Sequence, residues 1–233
     1  MPSHQLKDRI DIIVPVFNEE EILPEFHRRL CALGLPLNIV YIDNCSSDNS
    51  VAIISSFTDV TLIRHDRNEG YGASLLDGIA GSSNDKIIII DADCEYPPEA
   101  IPELVERLDS ADVVYTSRFV DGKNTFMPYT KRLGNQIISR LFNILYHQQV
   151  TDLYTGCKGL RRNVIKGVDL KCKGFEHVLE LGVKLAVKNI QIEEIGVDFT
   201  PRHTGVAKMQ HLTETAKYFY LIFFYYFTLK SHA

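Results

Sequence analysis

Short apolar runs alternate with helical patterns along the first half of the chain. The apolar runs predict buried strands at Ile10–Val16, Leu37–Asp43, Val60–Arg64, 86–91 and 112–117. Between them, apolar residues at helical spacing predict helices over residues 19–33, 47–57, 70–80 and 98–108. Ser46, Ser47 or Asp48 would cap the second helix, and prolines suit the start of the fourth. This alternation predicts an α/β fold in which a largely parallel, twisted sheet lies between helices.

The second half of the chain carries fewer strand signals. Residues 168–171 and 192–199 are predicted late strands that extend the sheet. Residues 131–150 place apolar side chains on one helical face and polar ones on another, which predicts an amphipathic helix. Residues 218–227 hold eight of the chain's 23 aromatic residues. We therefore expect one domain over residues 1–210 and an aromatic, amphipathic helix over residues 211–233.

Two carboxylates, Asp91 and Asp93, follow directly after the apolar run 87–90. The carboxyl ends of strands in open α/β sheets are where such folds bind their ligands. Two acids that point into one cleft repel each other unless a cation neutralises them, and hard oxygen ligands favour Mg²⁺ or Mn²⁺. A nucleoside diphosphate would supply the remaining oxygens. The alternative for an isolated pair of this kind is an ordinary surface turn after a core strand.

Polar residues also follow the first two predicted strands, in segments 14–19 and 42–48. Asp43 is placed to accept hydrogen bonds from a base, and the helix that follows would favour phosphate at its N-terminus. Each segment alone is explained as helix-cap chemistry. Their coincidence with Asp91 and Asp93 favours a ligand site. Residues 67–73 carry two glycines before a helix, and we interpret them as a turn that lines the pocket.

Composition and charge narrow the classes of function. The five cysteines form no Cys-x-x-Cys pair, so neither a disulfide framework nor a zinc site is indicated, and a reducing compartment is expected. Gly-x-Gly-x-x-Gly and Gly-Lys-Ser/Thr loops are missing, which disfavours a dehydrogenase or a P-loop ATPase. Residues 1–112 hold 21 acidic and 8 basic residues, whereas residues 113–233 hold 9 and 17. No nucleic-acid-binding motif accompanies the basic half, so we expect no nucleic acid partner but an anionic substrate or membrane surface.

Ordered motifs run over nearly the whole chain: segments 14–19, the acidic turn after the second strand, 68–73, 91–93 with 97–99, 117–118, 152–159, 174–176 and 202–208. Together they resemble the inverting family-2 glycosyltransferases of GT-A fold, specifically the polyprenyl-phosphate sugar synthases such as dolichyl-phosphate mannose or glucose synthase. Three departures stand out. The second turn has Asn44 and Cys45 where the family often has aspartate and glycine, Glu95 replaces a frequent glutamine, and Ala207 replaces a frequent serine. None of these departures removes a carboxylate from the metal site, and the additional acid at residue 95 would alter metal preference or nucleotide affinity.

The resemblance implies roles for individual residues. The nucleotide-sugar donor would be held by Pro15, Phe17, Glu19, Ile42, Asp43, Asp91, Ala92, Asp93, Arg202 and Lys208. A Mg²⁺ or Mn²⁺ cofactor would be bound by Asp91, Asp93 and Glu95. The acceptor phosphate would be bound by Arg118, Arg132 and Gln136.

The expected transfer reaction agrees with the acidic and basic residues that the chain offers. Displacing a nucleoside diphosphate from a sugar builds negative charge on the leaving phosphate, so a cation and Arg or Lys donors are required. A hydroxyl acceptor also needs a carboxylate base, whereas a phosphate monoester is already anionic and needs positioning. We therefore assign catalysis to Asp93, Arg118 and Arg132, and rank Asp152, the candidate base, after them. Ordinary surface arginines are the alternative reading of Arg118 and Arg132.

The aromatic C-terminal segment indicates a lipid partner. It is too short to span a bilayer, and Tyr-rich segments flanked by lysines favour the membrane interface. The alternative is a helix docked against the domain or against another subunit. A small membrane-embedded partner subunit would be compatible with both interpretations, the lipid contact and the docked helix. Because the N-terminus lacks a signal-peptide pattern, we expect a cytoplasmic protein bound peripherally to the cytosolic membrane face.

The sequence therefore predicts a metal-dependent, inverting transferase that moves a hexose from a nucleotide sugar, of the GDP-mannose or UDP-glucose type, to a polyprenyl or dolichyl phosphate. Two alternatives stay open: the same fold acting on a glycan hydroxyl with Asp152 as base, and a non-catalytic nucleotide-sugar-binding subunit. A sugar nucleotidyltransferase is more remote, because the glycine-rich phosphate loop is missing.

Overall fold

The computed structural model describes residues 9–120, 127, 129–200 and 211–229. For residues 129, 130 and 211–216 it describes the backbone alone. Within these ranges the strands are β1 Ile10–Val16, β2 Leu37–Asp43, β3 Val60–Arg64, β4 Lys86–Ile90, β5 Val113–Ser117, β6 Cys157–Arg161 and β7 Ile192–Gly196. The helices are α1 Leu23–Ala32, α2 Ser50–Ser55, α3 Tyr71–Gly81, α4 Ile101–Arg107, α5 Tyr129–Tyr146, α6 Arg162–Ile165, α7 His177–Val187 and α8 His211–Leu229. A 3₁₀ turn, Pro98–Ala100, precedes α4.

The seven strands form one sheet in the order β3-β2-β1-β4-β6-β5-β7. The pairs β1–β2, β2–β3, β1–β4 and β5–β7 are parallel, whereas β6 runs antiparallel to both β4 and β5. The predicted α/β fold with a largely parallel sheet is confirmed. Since β1, β2 and β4 are parallel neighbours, their carboxyl ends meet at one edge of the sheet.

Two predictions about the later strands need correction. Strand β6 was not predicted, because Lys158 and Gly159 interrupt its apolar pattern. Residues 168–171 were predicted as a strand and are not one. Instead, the backbone N–H of Lys171 donates to the Glu180 carboxylate, so the segment pairs with a side chain of α7 and not with the sheet. Strand β7 ends at Gly196, earlier than predicted.

Helix starts differ from the sequence-based bounds for local reasons. Helix α1 begins at Leu23 and not at residue 19, and Pro24 takes a place in its first turn, where a proline loses no hydrogen bond. Helix α2 begins at Ser50, whose backbone N–H donates to the Asp48 carboxylate at 2.9 Å. Helix α5 ends at Tyr146, and the Asn143 side chain then bonds both backbone groups of Val150.

The apolar core lies on both faces of the sheet. On one face, α3, α5, α7 and α8 cover residues such as Ile89, Tyr115 and Leu160. On the other face, α1, α2 and α4 cover residues such as Ile88 and Val114. The carboxyl edge of the sheet lies between these two layers, which is the position of a ligand cleft in an open α/β fold.

Helix α8 packs against α5 and α7 through one face. Tyr218 and Ile222 on that face are fully buried, and the Tyr146 hydroxyl donates to the carbonyl of Ile222 at 2.7 Å. Its other face is exposed, with Tyr220 at 68% and Phe227 at 69% of their maximal accessible area. None of the described helices is long and apolar enough to cross a bilayer. The C-terminal helix therefore has a docked face and an exposed apolar face.

This packing predicts unequal effects of two substitutions in α8. Ile222→Ala removes a fully buried side chain and should lower the free energy of unfolding by about 2–5 kcal/mol. Phe227→Ala, five residues further along and on the exposed face, should change it by less than about 0.5 kcal/mol. Urea denaturation measures both. Equal stability of the two variants would show that α8 is not docked as described.

Candidate active site

The loops after β1 and β2 are joined by reciprocal hydrogen bonds. The backbone N–H of Asn18 donates to the Ser46 hydroxyl at 2.9 Å, and the Asn18 side chain accepts from the backbone N–H of Ser47 at 2.7 Å. The backbone N–H of Glu19 donates to the Ser50 hydroxyl at 2.9 Å. These bonds fix two of the three predicted ligand-binding loops against each other.

Each of the three loops turns on a residue with positive φ: Asn18 at 53°, Cys45 at 64° and Cys94 at 58°. Asparagine tolerates this conformation, whereas cysteine adopts it only at a cost. Cys45 is the position where the resembling family often has glycine, and the left-handed backbone explains that preference. The departure at residue 45 therefore adds local strain to the turn.

Residues predicted to hold the nucleoside lie at this edge with different exposures. Asp43 is buried, and its carboxylate accepts the backbone N–H of Ser46 at 3.2 Å, as expected of helix-cap chemistry. Pro15, Phe17 and Glu19 are half-buried, whereas Ile42 and Ala92 are buried. The Ile42 side chain belongs to the core under α3, so only its backbone faces the edge.

Asp91 and Asp93 stand just past β4, as predicted. The Tyr71 hydroxyl donates to Asp91 Oδ1 at 2.9 Å, and the backbone N–H of Glu95 donates to Asp93 Oδ1 at 3.0 Å. Gly156 leaves room for the Asp91 carboxylate, because a Cβ at residue 156 would collide with Asp91 Oδ2. Burial, followed by the charge of Asp93, raises the pKa of Asp91 to about 7, against the opposing effects of Tyr71 and Lys158.

A divalent cation fits this chemistry. It would relieve the repulsion that raises the pKa of Asp91, and both acids offer the hard oxygens that Mg²⁺ and Mn²⁺ prefer. Such ions are commonly held by one or two carboxylates together with substrate phosphates. Among the described residues, no group of three or more His, Cys, Asp and Glu side chains is arranged to hold a metal. Glu95 stays a predicted ligand beside the two aspartates.

Lys158 is a buried ammonium that the sequence analysis did not single out. It comes from β6, is fully buried, and has no hydrogen-bond partner among the described residues. Its Nζ lies 4.9 Å from the centroid of the Tyr115 ring. Burial lowers the pKa of Lys158 to about 8, although Asp91 opposes this shift. The sequence alone did not indicate it, because only the pairing of β6 with β4 places this basic residue near Asp91 and Asp93.

His177 begins α7 as a fully buried side chain. Its Nδ1 lies 3.3 Å from the carbonyl oxygen of Cys172. Burial, with a further contribution from Lys158, lowers the pKa of His177 to about 4. The imidazole is therefore neutral near pH 7.

Arg118 and Asp152 form a buried, bidentate ion pair. Arg118 Nε donates to Asp152 Oδ2 at 2.6 Å and Nη2 donates to Oδ1 at 2.8 Å. Asn135 also donates to Asp152 Oδ1, at 2.7 Å, and Asp152 is fully buried. Burial alone would lower the pKa of Arg118, but Asp152 outweighs it and raises that pKa. The carboxylate predicted as a possible base is thus already engaged by two donors.

The structure brings Arg118 and Arg132 to one aromatic ring. Their guanidinium carbons lie 5.7 and 5.8 Å from the centroid of Phe119, within the range of a cation–π contact. Arg118 also contacts the rings of Tyr96 and Phe199. Gln136 lies one turn after Arg132 on α5 and is half-buried. Arg202 and Lys208, the other predicted phosphate ligands, lie outside the described residues.

Comparison with known proteins gives consistent matches. The sequence model of the family described as "Glycosyl transferase family 2" matches residues 11–168. The chain is 29% identical over 215 residues to a dolichol-phosphate mannosyltransferase of Pyrococcus furiosus, which covers 88% of the chain and 60% of that protein. It is 32% identical over 178 residues to an undecaprenyl-phosphate 4-deoxy-4-formamido-L-arabinose transferase of Pseudomonas aeruginosa, over 71% of the chain and 50% of that protein. The chain thus spans between half and three-fifths of the length of these relatives.

Among solved structures, the fold is similar to glucosyl-3-phosphoglycerate synthase from Mycobacterium tuberculosis. The complex of that enzyme with Mn²⁺, uridine diphosphate and phosphoglyceric acid aligns with a TM-score of 0.72 at 16% identity, over 94% of this chain and 78% of that one. A complex with Mn²⁺, uridine diphosphate and glucosyl-3-phosphoglycerate aligns with a TM-score of 0.68 at 15% identity, over 93% and 77%. At these identities the likeness establishes the fold.

The Arg118–Asp152 pair predicts a large loss of stability when one partner is removed. Asp152→Ala leaves a buried guanidinium without its counter-charge and should lower the free energy of unfolding by about 3–5 kcal/mol. Glu25→Ala, which breaks the exposed pair with Arg28, is the control and should have little effect. Urea denaturation of both variants measures the difference. A small effect of Asp152→Ala would mean that the carboxylate is solvated and available as a base.

Proposed function

Because this chain belongs to glycosyl transferase family 2 and has the GT-A fold, we propose that it transfers a hexose from a nucleotide sugar to a polyprenyl phosphate with inversion. The names of its relatives support the acceptor class, since those proteins are named for transfer to dolichol phosphate and undecaprenyl phosphate. The donor is proposed as a nucleoside diphosphate sugar of the GDP-mannose or UDP-glucose type.

The engaged state of Asp152 is the observation that carries the choice of acceptor. A hydroxyl acceptor needs a general base within hydrogen-bond reach, and the base must have a free lone pair in its working geometry. Asp152 instead accepts from Arg118, from Asn135 and from the backbone N–H of Arg118. Both oxygens of this carboxylate are therefore already engaged by donors of the protein. A phosphate monoester needs no such base, since its oxygen is already anionic near neutral pH.

Arg118 and Arg132 would position the acceptor phosphate. Asp152 occupies Nε and Nη2 of Arg118, so Nη1 is the group proposed to reach a phosphate oxygen. The ion pair orients the guanidinium before the substrate arrives, which lowers the entropy cost of binding. The Phe119 ring, which both arginines contact, would hold them on one side of the cleft. Gln136 would add a neutral donor one turn along α5.

The donor diphosphate would lie at the edge formed by β1, β2 and β4. Asp43 would face the nucleoside, and Asp91 with Asp93 and Glu95 would hold Mg²⁺ or Mn²⁺ against the diphosphate. When bound, the cation would stabilise the negative charge that develops on the leaving phosphate. Tyr71 keeps the Asp91 carboxylate oriented through its 2.9 Å hydrogen bond. Arg202 and Lys208 are proposed as further phosphate ligands by the resemblance alone.

Two further roles compete with this proposal. Transfer to a glycan hydroxyl would require Asp152 to leave both Arg118 and Asn135 before it could act as a base. A non-catalytic nucleotide-sugar-binding subunit would bind the donor and metal without turnover. The assay below separates all three.

The exposed apolar surface supports contact with a membrane. Among the described residues, every large hydrophobic side chain that is exposed lies on α5 or α8: Leu133, Ile137, Ile144, Tyr220, Phe223, Phe224 and Phe227. These two helices pack against each other, and exposed Lys131 and Arg140 lie on α5 beside the apolar side chains. Aromatic residues with nearby cations favour the interface of an anionic bilayer. We propose peripheral binding to the cytosolic membrane face through this surface, with a small membrane-embedded subunit as the alternative occupant.

The proposed reaction predicts transfer of labelled hexose to a short-chain polyprenyl phosphate in the presence of Mn²⁺. Asp93→Ala should reduce the transfer at least about a hundredfold, because the cation loses a proposed ligand. Product is measured by thin-layer chromatography with a panel of GDP- and UDP-sugars, and nucleotide binding by calorimetry. Glu106→Ala on the exposed side of α4 is the control.

Transfer to a glycan hydroxyl and not to the lipid phosphate would favour the first competing role. Donor binding without transfer to either acceptor would favour the second. Unchanged Mn²⁺-dependent binding in Asp93→Ala would contradict the proposed metal site.

The apolar surface predicts weaker membrane binding after substitution on α8. Replacing Phe223, Phe224 and Phe227 with serine should reduce co-sedimentation with anionic liposomes several-fold, since each exposed ring loses apolar area that would enter the interface. Substituting serine for Glu103 and Glu106, which are exposed on α4, is the control. Unchanged co-sedimentation of the α8 variant would rule out this surface as the membrane contact.

A further inference from the structure

His65 lies directly after β3 and connects two segments that line the proposed donor cleft. Its backbone N–H donates to the carbonyl of Asp43 at 2.9 Å, and its side chain is only 7% exposed. Nδ1 of the ring lies 3.0 Å from Asn44 Oδ1, and Nε2 lies 2.9 Å from Asp77 Oδ2 on α3. The ring therefore bridges the end of β2 and the side of α3.

Two backbone N–H donors determine which side-chain atoms of this network are amide oxygens and which carry hydrogen atoms. The backbone N–H of Gly70 donates to Asn68 Oδ1 at 3.0 Å, which identifies that atom as the amide oxygen. Asn68 Oδ1 lies 3.0 Å from Asn44 Nδ2, so the Asn44 amide must donate there. The backbone N–H of Glu69 donates to Asn44 Oδ1 at 2.8 Å, which confirms the same amide orientation. Both asparagine side chains are thus fixed without reference to the histidine.

This orientation determines the protonation of the ring. Asn44 Oδ1 is an acceptor, so Nδ1 of His65 must carry a proton to bond it. Asp77 Oδ2 belongs to an ionised carboxylate, so Nε2 must also carry a proton. A neutral imidazole has one N–H and would place a lone pair against one of these oxygens. We propose that His65 is an imidazolium clamp and acts as a positioning residue for the donor site.

The clamp acts on residues next to those of the proposed site. Asn44 follows Asp43, and the segment from Asn68 to Gly70 leads into Tyr71, whose hydroxyl bonds Asp91. Gly70 adopts φ 100°, and a Cβ there would collide with the carbonyl of Lys173, so this turn has little freedom. Through Asn44, His65 keeps the turn at a fixed distance from the end of β2.

Two acidic side chains lie near the ring. Asp77 on α3 contacts it directly, and Glu69 in the turn is near enough for His65 to contribute to the lowered pKa of that carboxyl, after Lys173 and Arg67. The His65 ring thus lies between two acidic side chains, Asp77 on α3 and Glu69 in the turn. Glu69 also pairs with Lys173 at 3.0 Å, in the segment before α7.

The protonation state has a direct spectroscopic test that does not depend on the proposed activity. Long-range ¹H–¹⁵N spectra of the full chain should show both His65 nitrogens protonated near neutral pH. Asp77→Asn supplies an amide that can donate to Nε2, so His65 should become a neutral ring with its proton on Nδ1. Asp77 is exposed, so this variant keeps the core intact. Replacing the exposed His147 with glutamine removes the signals of one histidine outside the network and so assigns those signals in the spectrum.

A wild-type spectrum with a single protonated nitrogen on His65 would overturn the proposal. So would a spectrum of Asp77→Asn that still shows both nitrogens protonated.

The positioning role, which rests on the proposed function, is tested by nucleotide affinity. His65→Phe removes both ring donors and should weaken Mn²⁺-dependent binding of the nucleoside diphosphate about tenfold or more, the loss expected when the Asn44 side-chain oxygen is left without its donor. Asp77→Asn keeps the Nδ1 bond to Asn44 and should bind within about twofold of wild type. Once nucleotide is saturating, the turnover of both variants should match wild type. Equal affinity of His65→Phe and wild type would overturn the positioning role.

Failure of the wild-type protein to bind any nucleotide would instead contradict the proposed function and leave the spectroscopic result standing. Thermal melts check that His65→Phe is folded. If it is not, His65→Leu, which is smaller and also removes both ring donors, replaces it in the affinity measurement.

Discussion

Negative charge concentrated at the carboxyl edge of the sheet is the constraint on which the rest of the site depends. Asp43, Asp91, Asp93 and Glu95 stand at the ends of β2 and β4, the parallel strands on either side of β1, or just beyond them. Burial, followed by the neighbouring charge of Asp93, raises the pKa of Asp91, and like charges in a partly desolvated cleft repel each other. The chain opposes this repulsion with the hydrogen bond of the Tyr71 hydroxyl and with the positive charge of Lys158.

The sheet order explains how these compensating charges arrive. The acidic residues belong mainly to the first half of the chain and the basic residues to the second half. Strand β6, from the second half, inserts between β4 and β5 and runs antiparallel to both. Its register pairs Lys158 with Ile89, two residues before Asp91 and on the same face of the strand. The basic second half of the chain is therefore brought next to the acidic first half where β6 pairs with β4.

Five strands were predictable because each is an apolar run between turn-forming residues, and their parallel order followed from the helices between them. The acids at 91 and 93 were predictable for the same reason, and the resemblance to family 2 that they helped to carry is confirmed. Strand β6 was not predictable, because a strand that contains a buried lysine and a glycine has no apolar pattern. Gly159 is required there by Leu108 and Ile88, which a side chain would contact too closely. That requirement depends on long-range packing and leaves no local signal.

The role of Asp152 shows a second limit of sequence reasoning. A carboxylate in a motif can be a base, a ligand or an ion-pair partner, and the choice depends on what lies opposite in space. Arg118 is 34 positions away and Asn135 is 17, and both donate to Asp152 in the folded chain. No pattern along the sequence joins these three residues. The choice between a phosphate and a hydroxyl acceptor thus depends on a tertiary contact.

Helix α5 connects the proposed chemistry to the proposed membrane surface. Arg132 and Gln136 are one turn apart and so share a face, and Leu133 and Ile137 repeat at the same spacing beside them. A phosphate bound by the first pair would have its hydrocarbon tail beside the second pair, which is exposed. A soluble phosphate acceptor would gain nothing from these apolar side chains, whereas a lipid phosphate would bury them. The exposed apolar side chains beside Arg132 on α5 are therefore themselves an argument for a lipid acceptor.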